Sequence, residues 1–286
     1  MVRFILLFTI AASTLYSCQE PVDLYLEEGE RKIVAHGYLS PGVQAEINLE
    51  LSFPYNSGDG GDTEEITNAV VKLNDQYGHT QEFSYNDSIR SYLPVNYMNI
   101  LPGDVYDLKV KVPGYDSVFD RTRIPSKIKI DSIRHYPVTV DYRELERYEI
   151  TFSDPPNEEN FYFFYTIGGS YNHFYSDDPL LQWDFVEKDY IVFSDEIIDG
   201  QKYTIVIDYF FNSEDSVSIH LQSLSPEAYF YFQSIDAQHN IHEFPIENVE
   251  LNIPIAQPFQ IFTNLENAVG IFASFNSDVK TLPAPE

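Results

Sequence analysis

Short stretches with a period of two run through the chain from Lys32 onward. The segments 32–40, 43–53, 66–74, 79–85, 89–94, 104–112 and 115–121 either alternate apolar with polar residues or are rich in β-branched and aromatic ones. That is the pattern of half-buried strands. Turn chemistry separates them at Ser40-Pro41-Gly42, Tyr55 to Gly61, Pro102-Gly103-Asp104 and Pro113-Gly114, because proline fixes one turn dihedral and glycine supplies the positive one. The alternation is cleanest from Val105 to Val110, where Tyr106, Leu108 and Val110 share the face better suited to a core. Strands and turns at this spacing predict an antiparallel sandwich of immunoglobulin or transthyretin type over residues 32–124.

Arg123-Ile124-Pro125-Ser126-Lys127 reads as a hinge, since proline denies a ladder donor and its neighbours are polar. A second β-rich unit is expected over 125–286, with strands near 128–138, 147–153, 160–167, 190–193, 201–211, 216–222, 257–262 and 268–275. One short helix near 226–238 interrupts it. Ser225 is a natural N-cap, Pro226 fits the first helical position, and Glu227 suits the positive end of the helix dipole. Ala228, Tyr231, Phe232 and Ile235 then fall on one stripe, which is expected to face the core. The fold class is therefore all-β in the main, with two β-sandwich-like domains.

The N-terminus is different in kind. Met1-Val2-Arg3 is a short basic start, Phe4 to Ala12 is nearly all apolar, and Leu15-Tyr16-Ser17-Cys18 closes the run. The apolar stretch falls well short of the roughly 20 residues needed to span a bilayer. It reads instead as a lipoprotein signal, residues 1–17, with Cys18 as the acylated residue. One acyl chain anchors weakly, so a multiply acylated Cys18 is expected. Residues 18–31 follow as an acidic tether. The whole chain carries 17 Lys+Arg against 45 Asp+Glu, a formal net charge of −28. Such a surface repels phosphate backbones and anionic lipid, which excludes nucleic acid as a partner and favours cations or a basic protein face. With Cys18 the sole cysteine, the mature fold has no disulfide and rests on an apolar core supplied with 22 Tyr and 21 Phe.

Phe152-Ser153-Asp154-Pro155, the aromatic strand Phe161-Tyr162-Phe163-Phe164, Ser225-Pro226-Glu227-Ala228-Tyr229 and Gln257-Pro258-Phe259 to Phe272 together resemble a domain-of-unknown-function family of Bacteroidota outer-membrane lipoproteins. Cys18-Gln19-Glu20-Pro21-Val22-Asp23-Leu24 is similar to that family as well. Near the end the chain keeps Asn264, Gly270, Ile271 and Phe272 of the family's pattern but has Ala268 where glycine is common. The resemblance implies a lipoprotein encoded beside a TonB-dependent outer-membrane transporter, with no catalytic residues to carry over. It also implies surface export, signalled by Glu20 and Asp23 after the cysteine.

Candidate chemistry is sparse. Gly58-Asp59-Gly60-Gly61-Asp62-Thr63-Glu64-Glu65 gathers Asp59, Asp62, Glu64 and Glu65 on one loop, a set of hard oxygen ligands that could hold calcium, although the spacing is not that of an EF-hand and a solvated acidic loop is the blander alternative. His239-Asn240-Ile241-His242-Glu243 lacks the geometry of a zinc site and suits a helix C-terminus. The loop from Gly168 to Trp183 exposes more rings than its polar neighbours can bury, and Tyr171, Tyr175 and Trp183 are its candidate ligand or partner contacts. In the alternative, Phe174 and Trp183 cap the core. Asp177-Asp178, or Asp154 with Glu158, are the acid pairs a glycosidase would need. The expected function is a non-enzymatic lipoprotein that captures or gates cargo for a TonB-dependent transporter. The alternatives are a structural or adhesive surface lipoprotein and, behind that, a surface hydrolase.

Overall fold

The computed structural model describes residues 30–53, 64–140, 142–168, 174–176, 178, 189–209, 216–243 and 260–283. Strands dominate. The first group is β1 (Ile33–Leu39), β2 (Glu46–Leu51), β3 (Glu64–Glu65), β4 (Val70–Asp75), β5 (Thr80–Asn86), β6 (Ser91–Pro94), β7 (Val105–Lys111) and β8 (Val118–Arg123). These pair antiparallel in the order β1-β2-β6-β5-β4-β7-β8, with β3 beside β2. An isolated bridge from Phe119 to Glu266 brings the far edge back towards the start of the path. Tyr106, Leu108 and Val110 are buried as their alternation requires, among Ile47, Leu73 and Val118 in the first core.

The second group comprises β9 (Ile130–Val140), β10 (Arg143–Ser153), β11 (Phe161–Ile167), β12 (Phe174–Tyr175), β13 (Tyr190–Ser194), β14 (Lys202–Tyr209) and β15 (Val217–Leu224). A four-stranded sheet β12-β14-β10-β9 faces the strands β13-β11-β15, and Tyr148, Phe152, Tyr162, Phe164 and Ile207 fill the space between them as a second core. Residues 260–262 are not strand, and 257–259 lie outside the described residues. The helix α1 (Pro226–Glu243) runs five residues past the expected end. Among the described residues no helix is long and apolar enough to cross a membrane.

One strand ties the groups together. β16 (Val269–Leu282) pairs parallel with β1 from Val34↔Val269 to Leu39↔Ser274. It then pairs antiparallel with β15 from Leu224↔Phe275 to Val217↔Leu282. Its side chains serve every apolar cluster. Phe272 enters the first core, Leu282 packs on the second, and Ile271 and Ala273 join Phe161, Leu224 and Ala228 in a third cluster under α1. Burial on both faces explains why its first part, Val269 to Ala273, is a continuous apolar run rather than an alternating one. Gly270 is required where β16 meets β1. Its φ is 111°, and a Cβ there would collide with the Ala35 carbonyl oxygen.

The segment expected to be a hinge is instead fastened by β16. Ser274 Oγ donates to the Arg123 carbonyl at 2.7 Å and Asn276 Nδ2 to the Pro125 carbonyl at 3.1 Å. The Ile130 amide donates to Asp278 Oδ2 at 3.0 Å, and the Ile128 amide to Ser223 Oγ at 3.2 Å. Alternate residues of one strand thus satisfy a proline-interrupted segment that cannot form its own ladder. Ser225 also departs from expectation. Its carbonyl accepts the first helical bond from the Tyr229 amide at 3.1 Å, as an N-cap should, but its hydroxyl takes the Ser274 amide at 3.2 Å rather than a first-turn amide.

Candidate functional site

The loop joining β10 to β11 and the turn joining β13 to β14 lie against each other, and three aspartates hold them there. Asp154 accepts from the Tyr162 hydroxyl and from the Gly200 amide at 2.8 Å. Asp195 Oδ2 accepts the Asn160 amide at 2.9 Å and its Nδ2 at 3.2 Å. Asp199 Oδ1 accepts the Asn157 amide at 2.8 Å. Each carboxylate therefore satisfies donors that the irregular backbone would otherwise leave bare. Oxygens of the three approach within 4.8 Å of one another. Burial raises the pKa of Asp154, and the charges of Asp195 and Asp199 add to the rise, while the bonds from Tyr162 and Gly200 oppose it. This is the cluster among the described residues whose donors could hold a cation, but the bonds given above already assign it a bracing role.

Beside the braces opens a cleft of about 550 Å³. Its floor is aromatic. Phe161 of β11 and Tyr229 of α1 stack with centroids 4.4 Å apart, and Phe230 lies 5.4 Å from Tyr229 and 6.1 Å from Phe161. Tyr229 is steadied by Gln233, whose Nε2 donates to its hydroxyl at 2.5 Å. Phe230 remains 45% exposed. The rim carries Glu158, Glu159, Asp195, Glu196 and Asp199, with no lysine, arginine or histidine among the described lining residues. An apolar floor under oriented carboxylates can bind and orient a ligand.

Of the residues singled out from sequence, Glu158 lines this cleft and Asp154 braces the loop beside it; the others are not brought together here. Cys18, Asp59, Asp62, Tyr171 and Trp183 lie outside the described residues, as does Asp177. Glu64 and Glu65 form β3, and Glu65 is engaged on both oxygens, by the Tyr85 hydroxyl at 2.5 Å and by the Arg90 guanidinium. Those partners, Tyr85 first, hold its carboxyl below the usual range. Phe174 is fully buried in the second core, and Tyr175 is half-buried with its backbone paired to Asp208. Asp178 is buried and accepts from the Tyr203 hydroxyl and, at 3.4 Å, from the Val206 amide. The helix backbone continues through His239–Glu243, whose side chains are not described.

Sequence inspection passed over Asp195, Asp199 and the Phe161–Tyr229–Phe230 floor. No local signal marks them, because 45 acids and 43 Phe and Tyr residues make any pair unremarkable, and the cleft joins three segments about 35 to 70 positions apart. The one usable cue is Asp154 beside Pro155-Pro156 with Asp199-Gly200 in the partner turn.

Fold and cleft define an all-β protein with two strand-built cores, a shared C-terminal strand and one helix lining an acidic, aromatic-floored cleft. The family profile described as Domain of unknown function (DUF4249) matches residues 19–281, and the chain belongs to that family. A search of curated proteins gives no match.

Proposed function

We propose that the chain is a lipid-anchored, non-enzymatic accessory of a TonB-dependent outer-membrane transporter of the Bacteroidota type, capturing or gating the cargo that the transporter takes up. The observation that carries this is the N-terminal apolar run ending in Leu15-Tyr16-Ser17-Cys18, joined to a β-rich body with a cleft suited to binding. Acylation of Cys18 supplies the outer-membrane attachment. Glu20 and Asp23 just beyond it favour the outer face. The cleft lined by α1 is where cargo chemistry is met.

A structural or adhesive lipoprotein is the second reading, favoured by rings such as Tyr97 and Tyr142 that stand 89% and 102% exposed. Pull-down of the full-length protein from detergent-solubilised outer membranes separates the two. Recovery of a large barrel, identified by mass spectrometry and lost from membranes expressing Cys18→Ala, supports the transporter accessory. Recovery of other surface proteins without a barrel supports adhesion and overturns it.

A further inference from the structure

The cleft's two chemistries select one class of occupant. A neutral sugar can stack on the rings and donate hydroxyls to the carboxylates but leaves their negative charge uncompensated, and a hydrated metal ion uses carboxylates but not rings. A planar or alkyl cation uses both. Its charge is attracted to the rim, and its apolar or delocalised face lies on aromatic rings, which attract cations through their negative faces. We propose that this cleft binds an organic cation, a guanidinium or ammonium group on an apolar stem, with Phe230 as the ring it covers and Glu158, Glu159 and Glu196 as its counter-charges.

The residues divide the work. Phe161 is buried and Tyr229 nearly so, so they form the fixed part of the floor. Phe230, on the same floor, keeps 45% of its surface open although Phe161, Tyr229 and Phe262 lie within 6.1 Å of its centroid. A large ring held by its neighbours yet left partly uncovered above a cavity is placed to be covered by something else. The exposed glutamates stand on the two loops that the aspartates brace, Glu158 and Glu159 on one and Glu196 on the other. Their backbone positions are therefore set before a ligand arrives, which limits that part of the ordering cost of binding. Asp154, Asp195 and Asp199 hold those loops and are not themselves assigned to the ligand.

The assignment deepens the capture reading by naming the cargo's chemistry, and it rests on that reading only for what the binding is for. Its test uses purified full-length protein in detergent, without a barrel, so the two can fail separately. The probes are acetyl-Ala-Arg-Ala-amide, its citrulline counterpart of the same shape without the charge, and free argininamide, followed by calorimetry at two salt concentrations. The arginine peptide is expected to bind at least about tenfold more tightly than the citrulline peptide, and to weaken as salt rises. Comparable binding of argininamide assigns the site to small free cations, whereas a strong preference for the peptide assigns it to basic chain segments. Phe230→Leu, which keeps apolar bulk but removes the π face, and Glu158→Gln with Glu159→Gln are each expected to weaken binding about fivefold or more at unchanged melting temperature. Equal affinity for the two peptides, no binding up to millimolar concentration, or full affinity in Phe230→Leu overturns the assignment. So does calcium binding at this cleft with no displacement by the arginine peptide.

Discussion

Ser274 is the residue on which the joint between the cores turns, and Ser274→Ala is the sharpest test of that joint. The side chain is fully buried. Its hydroxyl donates to the Arg123 carbonyl at 2.7 Å and meets the Thr122 hydroxyl at 3.0 Å. Its amide and carbonyl bond to Ser225, at 3.2 Å to the hydroxyl and 2.9 Å from the amide, and those bonds survive the substitution. Losing the hydroxyl removes two contacts of about 1 kcal/mol each and leaves a carbonyl and a hydroxyl dry, which adds up to a total cost of about 2–3 kcal/mol. For a body of this size that corresponds to a melting temperature lower by roughly 5–10 °C. Urea titration followed by tyrosine and tryptophan fluorescence reads the cost, and calorimetry reads the shift. Adding Thr122→Val removes one of the stranded groups, so the double variant should be about 1 kcal/mol better than the sum of the singles. A Ser274→Ala protein within about 0.5 kcal/mol of wild type, or strict additivity in the double variant, would refute the idea that this hydroxyl ties β8 to β16.

Gly270→Ala should destabilise by about 3 kcal/mol or prevent folding, since a φ of 111° strains any side chain and the Ala35 carbonyl must move; a melting curve like that of wild type would contradict it. Limited trypsin digestion should spare Arg123 and Lys127, because the flanking backbone is bonded to β16 and Lys127 pairs with Asp278 at 2.9 Å. An early cut there would restore the hinge. Burial, with a smaller push from Glu227, raises the Asp120 carboxyl from 3.8 to about 7. A raised carboxyl binds its proton more tightly in the folded state, so its contribution is greatest below 3.8 and is lost as pH climbs towards about 7. Asp120→Asn should flatten the dependence of stability on pH across that window and raise the melting temperature at pH 8, and an unchanged pH profile would count against it.

Individual strands could be read from the sequence wherever one face is wet. Val105–Lys111 and Phe161–Ile167 fall within a residue of expectation because alternation or aromatic density marks them. The end of β16 was invisible for a physical reason. Asn276 and Asp278 are buried polar residues, selected to hold the 123–130 segment rather than to fill a core, so the stretch looks like a tail. The start of β10 hid similarly behind Arg143-Glu144-Leu145-Glu146, where cross-strand polar contacts such as His135 Nδ1 with Glu146 Oε1 at 2.8 Å replace apolar alternation. The cleft was unreadable because its aspartates brace loops that become neighbours only once β10, β11, β13 and β14 have taken their places.

The position of β16 in the chain sets a schedule for folding. Its partner β1 lies more than 230 positions earlier, and Phe272, Ile271 and Leu282 are needed in turn by three apolar clusters. Pairings so distant along the chain are slow to form. While the polypeptide is being made, every core lacks a wall until the ribosome has passed residue 282. In the exported lipoprotein proposed above, which would have to thread a translocation channel, such late completion would keep the nascent chain loose during the passage that requires it to be unfolded.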